Sequence, residues 1–270
     1  MSLVADVSTP AGRPRKPPPS PALLIGLAVV LAITLWAGLS IEFTLAPLFT
    51  DLTRGKVIID QFLRPEWDFL LRPAVAAAFL ETLYIAILAS LGGCILALLL
   101  AMLASKVSAP NTLVYRITRG VLSLVRSLPD VAYGLLFVAV LGTGALPGVL
   151  ALIMFNIGVA AKLTGETIDS IDPGPVEAVE AAGGNRLQRA RWAIFPQVAP
   201  NYLSYCFYVF ELNIRASLVL GIVGAGGIGT LLYTLLARFE YSQVSAIVVL
   251  LFVVVFILDQ LSRALRRRLS

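Results

Sequence analysis

Histidine is absent from this chain of 270 residues, and charged residues make up only 14% of it. The absence of histidine removes the commonest metal ligand and the usual acid–base group near neutral pH. The chain also lacks the GxxxxGK(S/T) loop that binds nucleotide phosphates and the HExxH motif of zinc proteases. No metal site, cofactor or catalytic residue is therefore predicted. An intramembrane enzyme would need a clustered nucleophile and base, or a set of metal ligands, and the sequence offers neither.

Cysteine is also scarce, with two residues in the whole chain. Cys94 and Cys206 each lie in an apolar run, and their spacing indicates neither a disulfide nor a metal site. Both are predicted to be buried thiols.

Apolar residues fill most of the chain, since 58% are hydrophobic and the mean hydropathy is +0.88. This composition is typical of an integral membrane protein, because about a quarter of the residues in a soluble domain are charged. Each long apolar run is expected to form a helix, which satisfies its own backbone groups in lipid. The predicted fold class is therefore an all-α integral membrane protein with about six transmembrane helices, at residues 22–41, 74–104, 121–141, 145–162, 202–221 and 241–258.

These runs also predict the domain organisation. Residues 1–20 are Pro-rich and basic, which favours a disordered cytoplasmic tail. The first transmembrane helix, 21–41, is uncharged and has no clear cleavage site after it, so it is predicted to be retained rather than removed as a signal peptide. An extracytoplasmic connection, 42–73, precedes a core domain of about five transmembrane helices, 74–262, and a basic cytoplasmic tail, 263–270.

The positions of lysine and arginine predict the orientation in a prokaryotic cell membrane. Both terminal tails are basic, and six spans place them on the same side, so both termini are predicted to be cytoplasmic. The polar segment 172–196 then faces the cytoplasm, within the core domain. The net charge of +5 is explained by this topology, and no nucleic-acid partner is expected.

The polar segment 172–196 reads DPGPVEAVEAAGGNRLQRARWAIFP. Gly174-Pro175 favours the start of a short helix and Gly183-Gly184 its end. Asn185 followed by Gln188 predicts a capped second helix. Val176, Val179 and Ala182/Gly183 form a narrow apolar stripe along the first helix. Two interpretations follow from these residues: a solvated loop, or a helix presented to the groove of a soluble partner.

The same segment resembles the EAA loop of ABC-importer permeases, whose pattern is E-A-A, three residues, Gly, nine residues and I-x-L-P. Pro196 follows Gly183 by thirteen residues, as the pattern requires, and counting back six residues from Gly183 gives Glu177. Glu180-Ala-Ala is therefore a neighbour outside the register. The chain departs from the pattern at Val179, Ala193 and Phe195.

This resemblance implies how the protein is powered. In such permeases, a loop helix seats in a groove on a separate ATPase, and closure of two ATPases around ATP switches the membrane helices. It implies two ATPase copies, an extracytoplasmic binding protein and a second copy of this chain. ATP hydrolysis would reside on the partner chain. The residues implied in ATPase coupling are Glu177, Ala178, Gly183, Gly184 and Pro196.

Four further stretches are similar to the phosphonate-importer permease family, which has the type I importer fold: ETLYIA (81–86), RSLPD (126–130), KLTGETIDSID (162–172) and NIRASLVLGIVGAGGIG (213–229). The resemblance implies transport of phosphonate or a related phosphorus oxyanion, phosphate or phosphite. Methionine-importer permeases share the general architecture, so a permease for methionine or another small solute is the alternative.

Ionisable residues inside a predicted span usually face a cavity or one another. Glu211 and Arg215 are i, i+4 and are expected on one face, where they either neutralise each other or line a solute path. The guanidinium of Arg215 suits an oxyanion, and Asn213 and Ser217 are candidates for neutral donors. Arg126 is either a second anion contact or a side chain that reaches the inner interface.

Two sets of charged residues and one glycine-rich stretch are predicted to have structural roles. Lys162 and Glu166, at i, i+4, are predicted to form an ordinary interfacial pair. Glu81 is predicted to pair structurally near the outer face. GAGGIG (224–229) has no preceding strand and is predicted to form a tight or re-entrant turn rather than a nucleotide loop.

Overall fold

A computed structural model describes residues 20–41, 43–44, 46, 50 and 52–269. The predicted disordered tail, apart from Ser20, therefore lies outside the described residues. The chain divides into two compact units, residues 1–56 and 57–270.

The first unit contains helix α1, Pro21–Ser40. The hydroxyl of Ser20 accepts the N–H of Leu23, and Pro21 occupies the first turn, where its missing N–H has no cost. No charged residue lies in the first or last turn, and the helix is long and apolar enough to cross a membrane. The predicted first transmembrane helix is thus an α-helix.

Helix α2, Leu52–Phe62, begins in the first unit and continues into the second. A short 3-10 helix, Trp67–Leu71, follows it. Among the described residues there is no β-strand. The remaining helices are α3, Pro73–Leu103; α4, Thr112–Val125; α5, Asp130–Leu141; α6, Ala145–Asp169; α7, Pro173–Ala181; α8, Arg186–Arg189; α9, Phe195–Ile222; α10, Ile228–Ala237; and α11, Tyr241–Leu269.

Helices α3 and α6 form the centre of the second unit, and α9 packs against both. Small buried residues let the helix backbones approach closely, as is usual in membrane proteins. Helices α3 and α6 approach each other closely at Gly93, because a Cβ added at this glycine would lie 2.5 Å from the Asn156 Cβ. The Asn156 side chain donates to the carbonyl of Ala89 at 2.9 Å, which ties the two helices together.

Five helices are long and apolar enough to cross a membrane, and the described residues give six spans if α4 and α5 count as one. The predicted span 121–141 is not straight, because the axes of α4 and α5 differ by 82°. Pro129 explains this break, since proline lacks an N–H and disfavours helical geometry in the preceding residue. Helix α4 ends at Val125 and the chain resumes as a helix at Asp130.

The second short helix predicted in the polar segment is continuous with the next span. From Arg186 to Ile222 the chain forms one helical run of 37 residues. It passes through a π-helical turn, Ala190–Ile194, in which the N–H of Phe195 bonds the carbonyl of Ala190. Because Pro196 offers no N–H to the turn below, a local change of helix type precedes it.

The glycine-rich stretch after α9 forms the predicted tight turn. Gly224, Gly226 and Gly227 have φ values of 92°, 83° and 73°, a region that favours glycine. Helices α9 and α10 then meet at Gly221, where an added Cβ would lie 2.6 Å from the Gly229 Cα. The turn is fixed to α3, because the N–H of Ile228 donates to the Thr82 hydroxyl at 2.8 Å.

Candidate functional site

Helix α7 begins at a local cap in the polar segment. The Asp172 side chain accepts the N–H of Gly174 at 3.0 Å, and Pro173 is the first helical residue. The sequence prediction had placed this start at Gly174-Pro175. The N-cap carboxylate explains the earlier start, because it satisfies an amide that has no partner within the helix.

The predicted glycine end of α7 is confirmed. Gly183 has a φ of 77°. Its N–H bonds the carbonyl of Glu180 at 2.9 Å, and the N–H of Gly184 bonds that of Val179 at 2.9 Å. This is a Schellman ending, which turns the chain sharply and satisfies the last carbonyls of the helix.

The chain enters α8 through the predicted capping box. The Asn185 side chain accepts the N–H of Gln188 at 2.9 Å. The Gln188 side chain accepts the N–H of Asn185 at 2.8 Å. Together with the glycine end of α7, this box fixes the direction of the connection between α7 and α8.

The first two residues of the apolar stripe of α7 face the protein itself. Val176 is buried in a cluster with Ala193, Ile194 and Val198, and Val179 packs against the same cluster. The interpretation of the stripe as the surface offered to a partner is therefore wrong for Val176 and Val179, which attach α7 to the start of α9. Ala182 and Gly183 at its end are exposed, as are Glu177 and Ala178.

The two glutamates of α7 differ in their surroundings. Glu180 forms an ion pair and hydrogen bond with Arg189 of α8. Glu177 is exposed, and no ion pair joins it to any residue that the structure describes. The carboxylate of Glu177 is therefore accessible to a molecule outside the chain.

Next to this face lies an open cavity of about 420 Å³ between α7 and the π-helical turn. Its lining includes Ala178, Gly183, Gly184 and Trp192. Trp192 is 65% exposed, and the Arg191 guanidinium lies 5.1 Å from its ring centre. Sequence reasoning missed Trp192, although an aromatic residue in an otherwise polar segment was a signal. Pro196 lies in the first turn of α9 and is exposed, just beyond this surface.

In α9, the predicted pair of ionisable residues is present. The Arg215 guanidinium pairs with the Glu211 carboxylate. The Glu211 side chain is only 9% exposed, whereas that of Arg215 is 52% exposed. The pair thus fixes one end of the guanidinium at the protein core and leaves the rest accessible.

Asn213 and Ser217 lie on the other side of α9 from this pair and are buried. The Asn213 amide donates to the Ser90 hydroxyl of α3 at 2.7 Å, and the Ser217 hydroxyl donates to the Ile214 carbonyl at 2.9 Å. The structure therefore does not bring them to the exposed guanidinium of Arg215. Residues two apart on a helix point in different directions, which is why the linear proximity was misleading.

The profile of one protein family, binding-protein-dependent transport system inner membrane component, matches residues 93–270, which include α7 and the Glu211–Arg215 pair. The chain belongs to this family. It is therefore a multi-pass permease of the inner membrane, the transmembrane part of a transport system that works with a binding protein and an ATPase.

Two relatives of the permease cover most of its length. The phosphite transport system permease protein PtxC of Stutzerimonas stutzeri is 39% identical over 188 residues, which are 70% of this chain and 68% of the relative. The phosphate-import permease protein PhnE of Mycolicibacterium smegmatis is 35% identical over 222 residues, 82% of this chain. The matched part is only 42% of that second relative.

A solved structure confirms the fold class of the permease. The methionine ABC transporter MetNI, in an inward-facing conformation, matches with a TM-score of 0.64 at 19% identity. The match covers 73% of this chain and 96% of that one. The permease therefore has the all-α type I ABC-importer fold, as predicted.

Arg126 of the permease lies at the C-terminal end of α4, with its stem against Gly158 of α6. It lines a cavity of about 60 Å³ together with Lys162 and Glu166. Those two residues form the predicted ion pair, at 3.7 Å between Nζ and Oε1. Of the two alternatives for Arg126, this position favours a side chain that reaches the end of α6 adjoining α7.

Glu81 does not form the predicted structural pair with any basic residue in the described part of the permease. Its carboxylate lies beside Gly226, in an open cavity of about 410 Å³ that Thr143 and Thr230 also line.

Both cysteines of the permease are free thiols. Cys94 is buried as predicted, and Cys206 is half-buried beside it in the same apolar cluster.

Proposed function

We propose that this permease imports a phosphorus oxyanion, namely phosphonate, phosphate or phosphite, across the cytoplasmic membrane. The proposal is supported by relatives whose names refer to phosphite and phosphate transport and that are 39% and 35% identical to the chain. The methionine alternative rests on a likeness of 19% identity, which concerns the fold alone.

The proposed route of energy transfer is α7. The observation that carries it is the difference between the two glutamates. Glu180 is paired with Arg189, whereas Glu177 is exposed on the face of α7 that points away from the protein. An exposed carboxylate beside an aromatic side chain suits a groove on an ATPase. In this account Glu177, Ala178 and Trp192 contact the ATPase. Gly183, Gly184 and Pro196 set the angle at which α7 is presented.

The proposed assembly contains two permease chains and two copies of an ABC ATPase. Two ATPases must be gripped at once, and a homodimer of this chain offers two identical copies of α7 by the simplest symmetry. An extracytoplasmic binding protein delivers the solute. Both termini and α7 face the cytoplasm, in agreement with the excess of basic residues in the tails and in the segment around α8.

Arg215 is the proposed anion contact in the solute path. Its guanidinium offers planar donors that match the geometry of phosphonate or phosphate oxygens. Because Glu211 holds only part of the guanidinium, an oxyanion has access to the remainder. Asn213 and Ser217 stabilise α9 from its buried side. Arg126 lines the cavity that it shares with Lys162 and Glu166, near the end of α6 that adjoins α7.

The binding protein that works with the permease gives the test of the solute. Calorimetric titration with methylphosphonate, phosphate, phosphite and methionine should give tight binding for at least one phosphorus oxyanion. Binding of methionine or another amino acid with no response to any oxyanion would overturn the proposal.

A further inference from the structure

Helix α4 has three distinct faces. Leu122 is buried against the protein. On a second face an apolar stripe is exposed to at least 52% at each residue: Leu113, Ile117, Val121 and Leu124. These residues are spaced i, i+4, i+8 and i+11, which places them in one row along the helix. Arg116 and Arg119 lie away from that row, so α4 is amphipathic with a basic side.

The ends of the neighbouring helices fix the level at which α4 lies. Asp169, the last residue of α6, lies 3.9 Å from the Arg119 guanidinium. The same side chain accepts the Ser105 hydroxyl and the Lys106 N–H, each at 2.7 Å. Helix α4 therefore lies at the end of α6 that leads into α7, which is the proposed cytoplasmic side.

The bend between α4 and α5 then defines how α4 is oriented. Transmembrane helices are tilted by about 20° on average, and the axis of α4 departs from that of α5 by 82°. Helix α5 packs against α6, which is long and apolar enough to span the membrane. We infer from the bend that α4 lies close to the plane of the membrane surface. An amphipathic helix in that plane buries its apolar row among acyl chains and keeps its basic side at the headgroups.

Two basic side chains converge at the start of α4. Lys106 and Arg116 line an open cavity of about 410 Å³ together with Asn111, Thr112 and Tyr115. No ion pair engages either side chain within the described residues, whereas Arg119 is committed to Asp169. The cavity thus offers two uncompensated positive charges beside hydroxyl groups.

We propose that α4 is an interfacial helix and that the cavity between Lys106 and Arg116 binds the phosphate headgroup of an anionic phospholipid of the cytoplasmic leaflet. The acyl chains of that lipid lie against the apolar row. Basic side chains near a membrane surface are attracted to anionic headgroups, and those at the cytoplasmic leaflet are the usual sites of such binding.

The charge of this region argues against a second copy of the chain as the occupant. Residues 104–129 contain Lys106, Arg116, Arg119 and Arg126 but no aspartate or glutamate. A two-fold contact places the same patch on both partners. Such a contact through α4 would oppose basic side chains, whereas an anionic lipid neutralises them.

The test uses the full-length permease purified in detergent, titrated with dioleoyl phosphatidylglycerol and observed by native mass spectrometry. The double variant Lys106→Gln/Arg116→Gln should bind this lipid roughly thirty-fold more weakly, because each basic side chain near an anionic surface contributes about fivefold. Phosphatidylcholine should bind wild type and variant alike. The matched control, Arg64→Gln/Arg238→Gln, removes the same charge from two exposed positions on other elements and should bind phosphatidylglycerol as wild type does.

A conservative variant guards against a folding defect. Lys106→Arg/Arg116→Lys keeps both charges and should bind phosphatidylglycerol as wild type does. Equal affinity of the double glutamine variant and wild type would overturn the proposal. Displacement of the lipid by excess inorganic phosphate, with phosphate bound in its place, would instead assign the cavity to free phosphate. A change from dimer to monomer in the glutamine variant would assign the face to a contact between copies.

Discussion

The carboxylate of Glu180 is paired with the guanidinium of Arg189 across the turn that joins α7 to α8. This pair reinforces the Schellman ending at Gly183 and the capping box at Asn185, so three local devices hold α7 at one angle. Glu177, three residues earlier, takes no part in them. Glu180, in the more familiar-looking Glu180-Ala-Ala, thus holds α7 to α8. Glu177, which is in register with the EAA pattern, is exposed and forms no ion pair within the described residues.

Replacement of Glu177 by alanine should weaken the coupling between the permease and its ATPase without unfolding the permease. The side chain is exposed, so its loss removes a contact with the ATPase and no contact within the chain. Uptake in proteoliposomes and ATPase activity stimulated by the binding protein should both fall by at least tenfold, which corresponds to about 1.4 kcal/mol.

The matched control for this prediction is Glu180→Gln. It breaks a partly exposed ion pair, which is worth at most about 1 kcal/mol. Uptake should therefore stay near that of wild type, with a small decrease in thermal stability. If Glu180→Gln abolished coupling while Glu177→Ala left it intact, the assigned register would be wrong.

Gly183→Ala should damage coupling through the angle of α7. A residue with a Cβ costs about 1–2 kcal/mol in the left-handed conformation that Gly183 adopts. The chain relieves this strain by changing the end of α7, and uptake should fall several-fold. Gly183→Asn is the comparison, because asparagine tolerates this conformation better, and it should retain more uptake than Gly183→Ala. The reverse order of the two variants would rule out backbone conformation as the cause.

Arg215→Gln should reduce uptake without weakening ATPase binding, because Arg215 lies in α9 and outside the α7 surface. The variant also removes the cation that accompanies the buried Glu211 carboxylate. Uptake kinetics and co-purification of the ATPase with the permease would measure the two effects separately.

The double variant Glu211→Gln/Arg215→Gln distinguishes an anion contact from simple neutralisation. It removes both charges together, so a purely structural pair would leave uptake restored. Because Arg215 is proposed to contact the oxyanion, the double variant should transport as poorly as Arg215→Gln alone. Recovery of uptake would remove Arg215 from the solute path.

Thr82→Val should destabilise the turn between α9 and α10. Thr82 and Ile228 are both buried, and the Thr82 hydroxyl accepts the Ile228 N–H at 2.8 Å. Valine has nearly the same shape but cannot accept this bond, and an unsatisfied buried N–H costs about 1–3 kcal/mol. Thermal inactivation in detergent should shift to lower temperature, whereas Thr82→Ser should stay close to wild type. An unchanged inactivation temperature in Thr82→Val would mean that the bond contributes nothing to the turn.

Local signals in the sequence predicted much of the candidate coupling surface. Gly183 and the Asn185–Gln188 pair act through their immediate neighbours, so their roles could be read from spacing alone. The apolar row on α7 was misassigned because periodicity identifies an apolar face but not what covers it. Only the packing of Val176 against Ile194 and Val198 reveals that this face is internal.

The membrane-spanning part was predicted in outline and differs in detail for similar reasons. Hydropathy located the apolar runs, but the effect of Pro129 on the direction of the chain depends on how α4 packs against α6. Asn213 and Arg215 point in different directions because they are two residues apart on a helix, which their proximity in the sequence does not reveal. The partner of Thr82 is 146 residues away in sequence, a distance at which local patterns carry no information.

The most direct test is the uptake of radiolabelled phosphate and phosphite into proteoliposomes that contain the permease, its ATPase and its binding protein. Saturable uptake of at least one of these anions that requires internal ATP, and its loss in Glu177→Ala but not in Glu180→Gln, is the predicted result. ATP-dependent uptake of methionine with no uptake of either oxyanion, or uptake unaffected by Glu177→Ala, would contradict the account.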